Sequence, residues 1–133
     1  MCPAETVYAA QDFEVPETGL FTWDIPDNIL YADHALAELF GLDALQAEQG
    51  LPVETYLSRV HPIDRPRLAK TIRDCIVLHR PQQDSYRVCG LDGYYKDVVC
   101  FARVFRNRSG DPVRYAGIVV PAAVARDRAP SIF

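Results

Sequence analysis

The sequence predicts an α+β domain in which a five-stranded antiparallel sheet carries its helices on one face. Apolar residues alternate at period two near both ends of the domain, in residues 19–32 and 85–120, as they do in half-buried strands. Residues 33–80, which lie between them, have the apolar spacing and the capping residues of helices. Antiparallel strands that flank a run of helices form one sheet with the helices segregated to one side.

Composition and charge narrow the classes of function. The 133 residues correspond to one domain, and 49% apolar with 24% charged residues is ordinary globular composition. Eighteen acidic against fourteen basic residues leave a net charge of −4, which argues against a general nucleic-acid-binding protein. Because the sequence has no apolar run of membrane-spanning length and no signal-peptide pattern, we expect no membrane segment and a cytoplasmic location.

The opening hairpin is predicted at residues 19–25 and 29–32. Phe21 and Trp23 lie two positions apart, as on one face of a strand, and an Asp-Asn pair supplies the turn.

Helices are predicted between the two groups of strands. Asp33 is an N-cap residue ahead of an apolar helical stripe that Gly41 ends, and residues 42–64 contain short helical turns. A longer helix follows Asp64, its expected N-cap, and runs to about His79, with a proline in its first turn and another beyond its end.

The remaining strands are predicted at residues 85–91, 95–106 and 113–120. An Asp-Gly pair marks the first of their turns, and a three-residue loop there pairs Tyr86 with Cys100. Interior positions are then expected at Tyr86, Val88, Val98 and Cys100, and outer positions at Val99, Phe101, Arg103 and Phe105.

Four segments carry a resemblance to a known family. They read GLFTWDIPDNILYADHALAELFGL, VHPIDRPRL, DSYRVCGLDG and RNRSGDPVRYAGIVV. They contain a Trp-Asp opening, a Phe-Gly after the first helix, a His-Pro-x-Asp-Arg element, a Tyr-Arg strand and an Asp-Gly turn. In this order they resemble a PAS domain, the small sensor module of bacterial signalling proteins, over residues 19–120. Residues 1–18 are then an N-terminal extension and residues 121–133 a loose tail.

Two features depart from the family pattern. Asp97 stands where the family often has a tryptophan, and the last strand runs into Val-Pro-Ala instead of an Asp-Ile-Thr end and a coiled-coil linker. A PAS domain without an attached output domain is expected to signal by contact with another protein.

The resemblance implies a stand-alone sensory domain that binds a small apolar ligand or cofactor between its helices and its sheet. A histidine kinase or response regulator, in two-component or related signalling, is the expected partner, and a homodimer is expected. The alternative is a ligand-free adaptor that acts only through protein contacts. The candidate cavity residues are Trp23, Leu36, Phe40, Ile72, Cys75, Ile76, His79, Tyr86, Val98, Cys100 and Tyr115.

A histidine and the cysteines raise the question of a cofactor. Haem-binding PAS sensors hold their iron with a histidine on the corresponding helix, so His79 is a candidate haem ligand, with capping of the helix as its other role. Cys75 is a candidate attachment point for a chromophore, although buried cysteines are usually inert. The Asn-Cys-Arg-Phe sequence of flavin-binding light sensors is absent, which disfavours a flavin photoadduct. The four cysteines fit no metal pattern and are expected to be free thiols.

The outer face of the sheet is more apolar than contact with water requires, and two explanations are open. It is a candidate dimer or partner surface, or the N-terminal extension covers it. The residues involved are Val99, Phe101, Arg103 and Phe105, with Tyr8 and Phe13 in the extension.

A small acid-base enzyme that uses His61 and Asp64 is the least favoured alternative. Histidine and carboxylate are acid-base groups, but the sequence places no nucleophile or third partner at a spacing that would join them.

Overall fold

The computed structural model describes residues 18–125, and its elements follow the predicted order. The sheet has five antiparallel strands in the spatial order β2-β1-β5-β4-β3. This confirms the predicted α+β fold. The elements are β1 (Gly19–Asp24), β2 (Ile29–Ala32), α1 (His34–Leu39), α2 (Ala44–Gln49), α3 (Val53–Leu57), α4 (Arg65–Leu78), β3 (Gln82–Cys89), β4 (Tyr95–Arg106) and β5 (Pro112–Pro121).

Asp33 ties the first helix to the sheet. Its Oδ1 accepts hydrogen bonds from the backbone N–H of Leu36, at 2.9 Å, and of Leu20 in β1, at 3.0 Å. The first bond is the predicted N-cap, and Gly41, at a φ of 64°, supplies the left-handed turn after the helix. One carboxylate therefore begins α1 and holds it against β1.

The predicted register of the β3–β4 hairpin is wrong by two residues. Tyr86 pairs with Val98 instead of Cys100, and Cys89 pairs with Tyr95 across a five-residue loop at 90–94. The loop is longer than predicted because the Gly90 N–H donates to Tyr94 O and the Gly93 N–H donates to Gly90 O, which closes the turn before the ladder begins. A shift of two leaves every side chain on its predicted face, because strands alternate with period two.

The inner face of the sheet carries the core, and the helices cover it. Phe21, Tyr115, Val98 and Cys100 point inward and are buried. The strand β3 begins three residues earlier than predicted, because residues 82–84 also pair with residues 100–102 of β4, and Gln82 there is buried with its side chain hydrogen-bonded.

Two predictions concern the ends of the chain, and most of the residues involved lie outside the described part of the structure. The extension at residues 1–18, with Tyr8 and Phe13, lies there except for Thr18, and so does the tail beyond residue 125. The first part of that tail is ordered, since Pro121 ends β5 and residues 122–125 form a helical turn.

Candidate ligand cavity and neighbouring groups

A small apolar cavity of about 50 Å³ lies between the helices and the inner face of the sheet. That volume holds a few heavy atoms, whereas pockets for drug-sized ligands measure roughly 300–1,000 Å³. Seven of the predicted residues line it: Trp23, Leu36, Phe40, Ile72, Tyr86, Cys100 and Tyr115. The lining residues that sequence reasoning missed are Phe21, Leu30, Val53, Tyr56, Leu57, Val60, Leu68, Gln82 and Val119.

Aromatic rings form much of the cavity wall and are held by contact with one another. The ring of Tyr115 lies 5.9 Å from that of Trp23, and the ring of Phe40 lies 5.6 Å from that of Tyr56, centroid to centroid. The indole of Trp23 is also fixed by its Nε1, which donates to Asn28 Oδ1 at 2.9 Å. These contacts preorganise the wall, so a ligand does not have to order it.

Four predicted cavity residues do not line the cavity. Val98 is fully buried elsewhere in the core, and Ile76 is partly buried against it. Cys75 is buried and also borders a separate groove at the end of α4, and His79 is exposed in the same groove.

His79, the candidate haem ligand, does not line the cavity, and it stands at the end of the helix, the position of its other predicted role. His79 is the residue at which α4 ends, in a left-handed conformation with a φ of 56°, and its N–H donates to Cys75 O. Extrapolating the helical face to this position failed because the backbone has already left the helix there. The side chain is thereby placed at the C-terminus of α4, outside the cavity.

A chain of buried polar groups begins at the cavity wall. Tyr115 Oη donates to Gln82 Oε1 at 2.5 Å, and Gln82 Nε2 donates to Asp84 Oδ1 at 2.8 Å. Burial raises the pKa of Asp84 above its usual value, and Arg67 Nη1 lies 3.6 Å from its Oδ2. Gln82 and Asp84 were missed because glutamine and aspartate ahead of a strand resemble a loop.

Tyr56 contributes a polar atom without a partner. The residue is 3% exposed, and its hydroxyl has no hydrogen-bond partner in the described part of the chain. Burial raises the pKa of Tyr56 to about 12, so the hydroxyl is protonated and able to donate. An unpartnered buried hydroxyl in a cavity wall is a group that a ligand atom can satisfy.

The cysteines of the described region are free thiols. Burial raises the pKa of Cys100 to about 12, which keeps its thiol protonated and unreactive. Cys75 is buried and is not among the residues that line the cavity, although its thiol lies beside Tyr115 of the cavity wall. Cys2 lies outside the described residues.

Asp64 joins the start of α4 to β3. Its Oδ2 accepts hydrogen bonds from Arg87 N and Nε, and its Oδ1 accepts one from Arg87 Nη2, each at 3.0 Å. The predicted capping of α4 by this side chain is wrong, because the carboxylate is taken up by Arg87. The His61 side chain has other partners: its Nδ1 accepts from Ile63 N, and its ring packs on Tyr95. Both groups of the acid-base alternative are therefore engaged in local structure.

Asp64→Asn is expected to destabilise the fold by about 1–2 kcal/mol at neutral pH. The hydrogen bond from Arg87 lowers the pKa of Asp64 from 3.8 to about 2. A lowered pKa means that the stabilisation is complete above roughly pH 5 and is lost as the pH falls through the folded-state value. Urea unfolding followed by Trp23 fluorescence measures the free energy of unfolding. The difference in this free energy between wild type and variant should be smaller near pH 3 than near pH 7. The control is Asp111→Asn, an exposed carboxylate in the turn before β5 that forms no ion pair in the described residues. A stability difference between wild type and Asp64→Asn that does not change with pH would contradict this expectation.

The outer face of the sheet carries the candidate partner surface. Phe101 is 37% exposed and Phe105 is 39% exposed, Arg103 is exposed and Val99 is half-buried. Leu20, 56% exposed, extends the same face on β1. In the described residues no helix is long and apolar enough to span a membrane.

Comparisons with known proteins agree on one fold. A family model described as the PAS fold matches residues 29–119. The N-terminal domain of a diguanylate cyclase with a PAS/PAC sensor, from Marinobacter aquaeolei, has a TM-score of 0.72 at 17% identity, over 82% of this chain and 98% of that one. A sensory box histidine kinase/response regulator from Burkholderia thailandensis has a TM-score of 0.70 at 16% identity, over 96% and 92%. The PAS domain of a protein from Colwellia psychrerythraea has a TM-score of 0.63 at 16% identity, over 88% and 96%. No curated protein sequence matches the chain.

Proposed function

Because the chain belongs to the PAS fold family, we propose that it is a sensory domain that binds a small, mostly apolar molecule with one hydrogen-bonding group. The binding site is the cavity between the helices and the inner face of the sheet. The observation that carries this proposal is the buried hydroxyl of Tyr56, unpartnered in the described structure, in a wall whose other polar side chains, Gln82 and Tyr115, are bonded to each other. A ligand that accepts its hydrogen bond removes the cost of leaving this group unsatisfied.

The outer face of the sheet is the proposed route from ligand to partner. Tyr115 and Cys100 line the cavity, and they belong to β5 and β4, the two strands that also carry Ile118 and Phe101 on the opposite face. A ligand that favours one arrangement of these strands shifts the population of outer-face arrangements that a partner meets. A second copy of the chain, and a histidine kinase or response regulator, are the proposed partners. A cytoplasmic location stays a prediction from the sequence.

Native mass spectrometry of freshly purified protein tests the ligand. We expect an added mass that is absent from Ile72→Phe, which fills the cavity from α4, and present in Val77→Phe. Val77 is 64% exposed on the same helix and is the matched control. Acetone should raise the Tm of the wild type more than 2-methylpropene, an apolar molecule of the same size, does, because only acetone carries an oxygen that can accept a hydrogen bond from Tyr56, and Tyr56→Phe should remove that difference. A wild type with no added mass and no response to either compound contradicts the proposal.

The second candidate function is a ligand-free adaptor that works through the outer face. The exposed Leu20, Phe101 and Phe105 favour it, because apolar side chains grouped on a sheet face mark an interaction surface. A protein that carries no ligand and forms a dimer that Phe101→Asp dissociates would support the adaptor over the sensor.

A further inference from the structure

A second, basic site lies outside the cavity, in an open groove where α4 ends beside the last residues of β4. The groove measures about 570 Å³. Arg80, Arg103 and Arg106 line it together with His79, and in the described part of the chain no carboxylate lies within 4 Å of these three arginines. Three arginines gathered in a protein of net charge −4 create a local positive field that attracts anionic groups.

The floor of this groove is an open edge of the sheet. The edge strand β3 begins at Gln82, which pairs with Ala102, whereas β4 continues to Arg106. Residues 103–106 therefore pair with β5 on one side and have no strand on the other in the described structure. Alternate residues of an antiparallel strand direct their N–H and C=O groups to opposite sides, so about two of these four residues present backbone donors and acceptors to the groove.

Two of the arginines are held in place before any partner arrives. Arg106 donates to the carbonyl oxygens of Ile76 and Gly110, and Arg103 places its Cζ 4.0 Å from the ring centroid of Phe105. Side chains that are already braced lose less conformational entropy when they bind a ligand.

We propose that this groove binds an extended acidic segment of a partner protein, which pairs with residues 103–106 of β4 as a short additional strand. Backbone hydrogen bonds supply the pairing, and carboxylates of the segment meet Arg80 and Arg103 on its two sides. The site is independent of the cavity and of its ligand.

The open edge favours an acidic strand over other occupants. A small anion would use the arginines and leave the backbone groups of β4 unpaired. A neutral strand could pair with the backbone of β4 but would leave the charges of the arginines without a partner. A basic strand would in addition place like charges beside them. Charged side chains and a proline protect sheet edges from indiscriminate pairing, and Arg103 and Pro81 stand at this edge. The same residues that exclude ordinary strands therefore admit an acidic one.

Fluorescence anisotropy with the full chain tests this proposal. The probe is a fluorescein-labelled ten-residue peptide of alternating glutamate and valine, and binding is expected to weaken as salt is raised. The double variant Arg80→Glu/Arg103→Glu should weaken binding by about tenfold or more. The control is Arg108→Glu, which makes the same kind of charge change on an exposed residue of the turn after β4, outside the groove.

A second peptide separates strand pairing from charge alone. With two central valines replaced by proline, the peptide keeps its charge but cannot form the ladder, and we expect it to bind at least about tenfold more weakly. Hydrogen exchange of the wild type should show new protection of amides within residues 103–106 when the first peptide binds. Equal binding of both peptides, an equal loss in Arg108→Glu, or no binding to the wild type would overturn the proposal. Tighter binding of tripolyphosphate than of the peptide, lost with Arg80 and Arg103, would identify a small-anion site instead and would also overturn it.

Discussion

Gly117→Val is expected to leave the chain unable to fold stably. Gly117 lies in β5 opposite Ala102 of β4, near the middle of the sheet. A Cβ atom at Gly117 would lie 2.5 Å from Ala102 Cα and would overlap the carbonyl oxygen of Phe101. Both are backbone atoms of the neighbouring strand, so the clash is relieved only if β4 and β5 separate. We expect a loss of more than about 3 kcal/mol, a large part of the roughly 5–15 kcal/mol that stabilises a small domain.

The neighbouring position provides the control for this prediction. Ala116 is half-buried, belongs to the same strand and faces the opposite side. Ala116→Val should change the free energy of unfolding by less than about 1 kcal/mol, because valine suits a strand and position 116 already carries a Cβ atom on the opposite face of the sheet. Circular dichroism and urea unfolding measured on both variants check the contrast. A Gly117→Val protein with wild-type stability would show that β4 and β5 are not packed as described.

Gln82→Met is expected to destabilise the fold by about 2–4 kcal/mol. Methionine has nearly the volume of glutamine, so the effect isolates the two side-chain hydrogen bonds. Without the amide, the hydroxyl of Tyr115 loses its acceptor and Oδ1 of the half-buried Asp84 loses its donor, and a lost hydrogen bond of this kind costs about 1–3 kcal/mol.

A double-mutant cycle checks whether Gln82 acts through this chain of hydrogen bonds. Tyr115→Phe alone removes only one of the bonds and should cost less than Gln82→Met. The double variant should cost less than the sum of the two single variants, because both remove the same bond. Urea unfolding at neutral pH measures all three proteins, and strict additivity would show that the bond between Gln82 and Tyr115 contributes nothing to stability.

Local sequence signals located the elements well where each signal acts within a few residues. The bounds of β2 and β4 agree with prediction, and Asp33 caps its helix as predicted. The outer and inner faces of the β3–β4 hairpin were also right although its register was wrong, since a slip of two residues preserves alternation. Asp64 was misjudged because its partner, Arg87, lies 23 residues away. A capping rule considers only the backbone N–H groups of the next few residues, so it does not predict that a distant arginine binds the carboxylate instead.

The candidate site depended more on distant contacts. Aromatic and aliphatic positions such as Trp23, Phe40 and Tyr115 were found because they share a face with a clear apolar pattern. Tyr56 and Gln82 were missed because their importance comes from one unpartnered hydroxyl and one buried amide, which spacing does not reveal. The groove beside β4 was likewise invisible, because it arises from the difference in length between two paired strands.

The amino-acid sequence by itself determined the order of strands and helices, the face of most sheet residues and the resemblance to PAS domains. These properties follow from apolar periodicity, capping residues and turn residues, which act within about one element. Only the tertiary structure decided the hairpin register, the exit of His79 from the cavity face, the pairing of Asp64 with Arg87 and the open edge at residues 103–106. The pair of Asp64 with Arg87 and the open edge depend on contacts between distant parts of the chain. The hairpin register and the end of α4 depend on backbone hydrogen bonds that a pattern of residue types does not reveal.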